Sequence, residues 1–253
     1  MKLVSWNVNG LRAAWKKGFL GLLRTERPDV LCAQETKLQE EQVTDDMRAP
    51  EGYRSSWCFA ERRGYSGVVT YTRAEPLTVA TKCGSACLDA EGRVVHTELD
   101  PFHLFNVYFP NSGMGPERLA YKLAFYAEFL EHVEHLRRQG KGVVICGDVN
   151  TAHTALDLAR PRENERNPGF MPVERAWVSR LIARGYHDTF RLFTADAGHY
   201  TWWDLKTGAR ARNIGWRIDY FFVSDELRAR VRAARILPSV QGSDHCPVTL
   251  ELD

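Results

Sequence analysis

Net charge is nearly missing from this chain. Over 253 residues, 34 basic side chains stand against 32 acidic ones, a formal balance of +2. That excludes a polybasic tail protein and an acidic, solvating disordered chain, although such an average hides local patches. No apolar stretch approaches the roughly 18 residues of a membrane span, so no membrane partner is expected. Met1-Lys2 leads directly into Leu3-Val4-Ser5-Trp6, with neither an apolar signal region nor a small-residue cleavage site. Cysteine is sparse and scattered, at positions 32, 58, 83, 87, 146 and 246. Only Cys83 and Cys87 lie close together, and no second pair or histidine cluster completes a zinc site. The expectation is a reduced, cytosolic thiol set, with Cys32 and Cys146 in core strands. Flexible Pro/Gly/Ser linkers and low-complexity segments are absent too, which leaves one domain over residues 1–253.

What is present is an apolar content of 44%, enough for a sizeable core. Seven tryptophans exceed what a minimal core requires. Short apolar runs alternate with amphipathic segments, the pattern of an α/β protein. Strands are expected at Lys2–Val8, Asp29–Gln34, Gly67–Thr72, Arg93–Glu98, Leu104–Tyr108, Lys141–Cys146, Asp219–Val223 and Val248–Leu252. The clearest helix runs from Pro116 to Gln139, with Pro116 in its first turn, Leu119, Leu123, Tyr126 and Leu130 at helical spacing, and Gly140 as its stop. Further helices are expected at Pro172–Arg184, Leu11–Thr25 and Glu40–Met47. A faint echo links Trp6-Asn7-Val8-Asn9-Gly10 with Gly147-Asp148-Val149-Asn150, which suits two sheets of similar build.

The chemistry is suggested by polar residues at strand ends. Asn7 interrupts the first strand, and Gln34-Glu35-Thr36-Lys37 closes the second. Asn106 and Tyr108 alternate in one strand, ahead of Asn111. Asp148 and Asn150 follow Val143–Cys146, Asp219 follows Trp216-Arg217-Ile218, and Ser243-Asp244-His245 precedes the last strand. Singly, each has a bland explanation as a turn, a helix start or a satisfied histidine. Jointly, such a set is costly to assemble unless it binds a cation. Oxygen donors without cysteine suit a hard divalent ion, Mg²⁺ or Mn²⁺, over zinc. Together with Tyr and His they supply the parts for phosphodiester hydrolysis.

These blocks, spread from Leu3-Val4-Ser5-Trp6-Asn7-Val8-Asn9-Gly10 to Ser243-Asp244-His245-Cys246-Pro247-Val248, resemble the exonuclease III class of apurinic/apyrimidinic endonucleases within the endonuclease/exonuclease/phosphatase superfamily. The resemblance implies a DNase I-like four-layered α/β sandwich, two packed mixed sheets flanked by helices. It implies that Glu35 is the principal metal ligand, with Asn7 near the ion and Asp148, Asn150, Asp244 and His245 around it. Asp148 then positions or activates water, Asn150 and Tyr108 contact the phosphate, and His245, oriented by Asp219, binds the scissile phosphate. Asp148 and His245 both stay open as general base. Asn9 stands where some relatives carry Asp.

The same resemblance assigns a DNA surface. Trp202, Trp216 and Ile218 wall a slot for an extrahelical base-free sugar, whereas Trp203 is expected in the core. Asn111, Met114, Arg118 and Asn164, with Asn167, would reach the DNA, and Lys206, Arg210 and Arg212 sit in a basic loop suited to phosphates. Arg217 joins that basic rim, while Arg228, Arg230, Arg232 and Arg235 read as a solvated face. The expected activity is Mg²⁺-dependent incision 5′ to abasic sites in double-stranded DNA, with 3′→5′ exonuclease or 3′-end processing at blocked ends. A same-fold enzyme for a non-DNA phosphoester and a non-catalytic damage-binding module are the rivals. A monomer in a prokaryotic cytoplasm, at the nucleoid during repair, is expected.

Overall fold

The computed structural model describes residues 1–113 and 115–253. Two six-stranded sheets form its centre. The strands are β1 (Lys2–Asn7), β2 (Val30–Gln34), β3 (Arg54–Cys58), β4 (Val68–Thr72), β5 (Thr78–Ala80), β6 (Val94–Glu98), β7 (Phe102–Tyr108), β8 (Gly142–Asp148), β9 (Tyr186–Asp188), β10 (Asp219–Ser224), β11 (Val231–Ile236) and β12 (Val248–Leu252). One sheet runs β11-β12-β1-β2-β4-β3 and the other β5-β6-β7-β8-β10-β9. Each has one parallel pair at its middle, β1 with β2 and β7 with β8, flanked by antiparallel neighbours. The sequence echo thus falls on corresponding central strands of two sheets built alike.

The apolar runs alternate between two cores because these strands are covered on both faces. In β8, Val143 and Ile145 pack outward under helices, while Val144 and Cys146 face the other sheet. Leu3, Val30, Cys32, Leu104, Phe221 and Leu250 complete the layer between the sheets. The thiols are unpaired among the described residues, with Cys32 and Cys146 buried as expected.

The helices are α1 (Leu11–Ala14), α2 (Leu20–Glu26), α3 (Asp45–Arg48), α4 (Ala86–Asp89), α5 (Pro116–Arg137), α6 (Pro161–Asn164), α7 (Pro172–Ala183) and α8 (Asp225–Arg228). The expected helix over Leu11–Thr25 is interrupted at Gly18, where φ is 149° and a Cβ would lie 3.0 Å from the Gln241 carbonyl. Glu40–Met47 forms a single tight turn and then α3, not one helix. In α5 the buried face is Lys122, Phe125, Tyr126, Phe129, Leu130 and Val133. It is rotated from the expected one, since Leu119 and Leu123 are only half-buried. No helix of the described residues is long and apolar enough to cross a membrane.

Register sets the site. Tyr108 pairs with Asp148 across β7–β8, Asp219 pairs with Asp148 across β10–β8, and Asn7 pairs with Gln34 across β1–β2. Gly147 permits this approach: its φ is 131°, and a Cβ there would lie 1.9 Å from the Val107 carbonyl oxygen. The sheets are also joined by polar contacts. Gln34 Nε2 donates to Asn106 Oδ1 at 2.8 Å, and Asn106 Nδ2 donates to the Val69 carbonyl at 2.8 Å. Asn106 therefore belongs to the inter-sheet seam and not to the cleft.

Candidate active site

A cleft of about 310 Å³ opens where the strand ends of both sheets meet. Its walls include Glu35, Tyr108, Asn111, Asp148, Asn150, Asp244 and His245, and also Trp202, Trp216 and Ile218. Residues expected to act together from five separate strand ends are thus brought to one place.

Glu35 stands just past β2 at a φ of 58°, with Lys37 at 55°. For side chains of this size such a backbone costs about 1–3 kcal/mol each and persists only where its surroundings hold it. Here they do. Gly10 N–H donates to the Glu35 carbonyl, Leu11 N–H to that of Thr36, and the Thr36 and Lys37 N–H groups donate to Gly67 and Ser66. The Glu35 carboxylate is partly exposed; Lys37 Nζ lies 3.0 Å from Oε1 and Asn7 Nδ2 donates to Oε2 at 3.1 Å.

Asn7 also donates to Asp148 Oδ2 at 2.9 Å, while its Oδ1 accepts from the Asn9 N–H. As oriented, Asn7 bridges two carboxylates from different sheets and turns its oxygen away from them. It was expected near the ion, and it is its amide nitrogen that faces the two carboxylates. Asp148 further accepts from Asn150 N–H at 2.8 Å and from Asn150 Nδ2 at 3.2 Å. Asn150 Oδ1 in turn accepts from Asn111.

His245 Nδ1 contacts Asp219 Oδ2 at 2.9 Å, and its Nε2 lies 3.9 Å from Asp148 Oδ2. Burial alone would lower the imidazole's pKa, but Asp219 first, then Asp148 and Asp244, outweigh it and favour the imidazolium. Burial and the Asp219 charge push the Asp148 carboxyl up from its ordinary range. The Tyr108 phenol is raised well above its usual value, by burial and then by Glu35, so it remains a donor. Asp244 accepts from Asn9 Nδ2 at 2.9 Å and Trp202 Nε1 at 3.0 Å.

Asp148, Asp219 and His245 offer ligand atoms within 4.8 Å of one another and could hold a metal ion. The Asp219–His245 hydrogen bond occupies the facing atoms of two of the three, however. The carboxylates that line the cleft itself are those of Glu35, Asp148 and Asp244, while Asp219 Oδ1 is buried without a hydrogen-bond partner among the described residues. These donors are oxygens, no cysteine among the described residues lines the cleft, and an ammonium already rests against Glu35. That chemistry fits a hard divalent cation.

The aromatic residues expected to wall a slot are brought together at the cleft. Trp202 and Trp216 pair as edge-to-face rings 6.5 Å apart, half-buried against Ile218, Leu158 and Phe170, with Phe170 edge-on to Trp216. Trp203 is buried, as the sequence suggested.

The basic surface differs more. Arg210 commits three of its N–H groups to the carbonyls of Pro238, Val240 and Ser243 and lies over the Trp203 ring, so it fastens the loop. Arg217 is buried between Asp157 (2.8 Å) and Asp188 (2.6 Å), behind the pocket wall. Arg118, expected to reach the DNA, is half-exposed and paired with Glu91 at 2.9 Å. Asn164 closes its own turn, donating to the Arg160 carbonyl and accepting from Asn167. Lys206 and Arg212 are exposed, and Arg228, Arg232 and Arg235 are solvated. Met114 lies outside the described residues.

Sequence reasoning missed several contributors. Arg93 is buried with its guanidinium 4.6 Å from the Tyr108 ring centroid, donating to the Tyr108 carbonyl at 2.9 Å and held by Glu91 at 2.7 Å. Its only signal was a charge at the start of a strand. Lys37 and Gly169 line or touch the cleft with equally weak signals.

Comparisons with known proteins agree with this geometry. A model of the endonuclease/exonuclease/phosphatase family matches residues 4–245. An exodeoxyribonuclease of Bacillus subtilis (strain 168) is 45% identical over 252 residues, covering 99% of this chain and 98% of that protein. The DNA repair nuclease APEX1 of Danio rerio is 41% identical over 255 residues, covering 100% of this chain and 82% of the relative. Among solved structures, a 3′ phosphatase from Neisseria, NExo, bound to a product DNA hairpin, superposes with a TM-score of 0.92 at 28% identity, covering 100% of this chain and 99% of that one. With the family model spanning nearly its full length, the chain belongs to the endonuclease/exonuclease/phosphatase family.

Proposed function

We propose that the chain is a Mg²⁺-dependent DNA repair nuclease, with Mn²⁺ able to substitute. It cuts the phosphodiester 5′ to an abasic site in double-stranded DNA and trims or cleans 3′ ends. One observation carries the reading: the apolar slot of Trp202, Trp216 and Ile218 opens into the same cleft as Glu35, Tyr108, Asp148, Asn150 and His245. A base-free sugar fits such a slot where a nucleotide with its base is excluded. The names of the relatives, exodeoxyribonuclease and DNA repair nuclease, support it.

Glu35 and Asp148 would hold the cation, with Asn150, Asp244 and His245 around it. When bound, the ion supplies Lewis-acid polarisation of the phosphoryl oxygen. The protein's own groups do the rest. The His245 imidazolium, held by Asp219, binds the non-bridging oxygens of the scissile phosphate. Asp148, opposite it and raised in pKa, orients water and takes up its proton as the water oxygen bonds to phosphorus. The P–O3′ bond breaks, and the departing 3′-oxygen takes a proton from solvent to leave a 3′-hydroxyl. Asn150 and the Tyr108 phenol donate to the charge that develops on phosphorus oxygens. Lys206 and Arg212 contact backbone phosphates. A monomer acting on nucleoid DNA in a prokaryotic cytoplasm completes the proposal.

The test is a panel of abasic, 3′-phosphate and recessed 3′-end duplexes under one Mg²⁺ condition, with a phosphoinositide alongside. Turnover on the abasic duplex and at the modified 3′ ends, and none on the lipid headgroup, is expected. Preference for the phosphoinositide refutes the reading.

A further inference from the structure

Three loops lining the cleft come from distant parts of the chain: 111–113 after β7, 150–151 after β8, and 168–171 before α7. One buried ion pair fastens all of them. Lys122 on α5 and Glu174 in the first turn of α7 have side chains with 0% exposure and meet at 2.7 Å. Lys122 Nζ also donates to the Asn150 carbonyl at 2.7 Å and to Thr151 Oγ1 at 2.9 Å. Glu174 Oε1 accepts from Ser112 Oγ at 2.8 Å; its Oε2 accepts from Gly169 N–H at 2.7 Å and Met171 N–H at 3.1 Å. Every ammonium proton has an acceptor, and each carboxylate oxygen has two donors.

A buried ion pair is weak evidence for stability, because an apolar pair of the same size commonly serves the fold as well or better. Lys122 stands on an apolar helix face beside Phe125 and Tyr126, where a methionine or leucine would pack readily. An apolar pair could not hold the loops. Asn150 is kept at a φ of 54° with its carbonyl on Lys122, and its side chain contacts both Asp148 and Asn111. Gly169, hung on Glu174, is so close to the slot that a Cβ there would lie 3.2 Å from the Asn150 carbonyl oxygen and 3.3 Å from the Trp216 ring.

We infer that Lys122 and Glu174 are positioning residues for the reaction proposed above. They set Asn150 against Asp148 and hold the loops of Asn111 and Gly169 at the cleft. The inference rests on the nuclease reading of that cleft.

The experiment separates positioning from folding. Wild type is compared with Lys122→Met, Glu174→Gln and the double variant on an abasic duplex with Mg²⁺, measuring Tm, kcat and KM. Each single variant leaves one buried charge unpaired, so both lower Tm and turnover. In the double variant no charge is buried, and Tm returns close to the wild-type value. Its kcat nevertheless stays about 10- to 100-fold low, as expected when catalytic groups are displaced by an ångström or less. A double variant with restored Tm and wild-type kcat overturns the inference. Ser112→Ala, which cuts one tie and leaves the pair intact, serves where the double variant does not fold: a severalfold rise in KM at unchanged Tm supports positioning, and wild-type KM and kcat overturn it. A wild-type protein that leaves the abasic duplex intact refutes the nuclease reading itself, before any variant is compared.

Discussion

His245 and Asp219 show how burial gives a single hydrogen bond its force. With Asp219 Oδ2 2.9 Å from Nδ1 and both groups buried, the imidazolium is held by a charge that water cannot screen. Asp219→Asn keeps the shape and removes that charge. Turnover should fall about 10²- to 10³-fold, with binding of an abasic duplex little changed; steady-state kinetics beside a binding titration check it, and unaltered kcat refutes the assignment. The basic loop makes a contrast between neighbours. Lys206→Ala should flatten the dependence of log K on log salt by about 0.9, the share of one phosphate contact. Arg210→Ala should leave that slope alone and lower Tm, because its guanidinium faces protein carbonyls. The sequence shows two arginines and a lysine in one loop, and nothing local distinguishes the one that folds inward. Glu35, Asp148 and His245 were legible because motif and strand end coincide. Arg93, Lys122 and Glu174 were not, since a buried charge is recognised only by partners far away in the chain.

At the scale of elements, strands covered on both faces were the easy part. Val143–Cys146 and Val30–Ala33 read as continuous apolar runs, and β8 and β2 lie there, with ends shifted by a residue or two. The strands that escaped notice were short or at sheet edges. β3 and β5 bury no residue fully, and β11 sets its two arginines three apart around Ala233 and Ala234, so neither period nor composition marks them. Glu40–Met47 carried charges compatible with a helix, but Thr44 is extended and splits the segment. The pocket wall depends on a connection of the same hidden kind. Arg217, between Trp216 and Ile218, is fully buried and shared by Asp157 and Asp188, with Arg191 also on Asp157. Burial opposes ionisation of Asp157, but Arg217 and Arg191 win and hold its carboxyl down to about 2. Arg217→Leu would strand Asp188 and leave Asp157 to Arg191 alone, and should cost about 3–5 kcal/mol. Thermal unfolding measures this; a Tm within a degree of wild type contradicts the role given to the cluster.

The whole molecule is two similar sheets whose central strand ends meet at one cleft, an arrangement faintly present in the sequence as the Asn7 and Asn150 echo. Away from the cleft, the sheet containing β6 and β7 buries a histidine pair: His96 Nε2 and His103 Nδ1 lie 3.0 Å apart, with His96 stacked on Phe105 beneath α5. Burial, then His103 and His132, lowers His96 to about 4 against the pull of Glu98, and burial lowers His103 too. The unfolded chain therefore binds more protons than the folded one below pH 6.5. Stability from this pair is complete above that pH and is lost as pH falls towards 4. Tm should drop over that interval, by about 2–4 °C per kcal/mol for a chain of this size. His96→Gln/His103→Gln should flatten the drop, and parallel curves for the two proteins would count against the pair as its source.

The central claim is that one cation-binding cleft at the ends of both sheets cuts DNA at a base-free sugar. The direct measurement is incision of a duplex with a single abasic site by wild type and Asp148→Ala, with Mg²⁺, with EDTA, and with Mg²⁺ restored. The account predicts a cut 5′ to the abasic site that leaves a 3′-hydroxyl, its loss in EDTA, its return with Mg²⁺, and a rate at least about 10³-fold lower in the variant. Cutting that persists in EDTA, or Asp148→Ala at the wild-type rate, would contradict it.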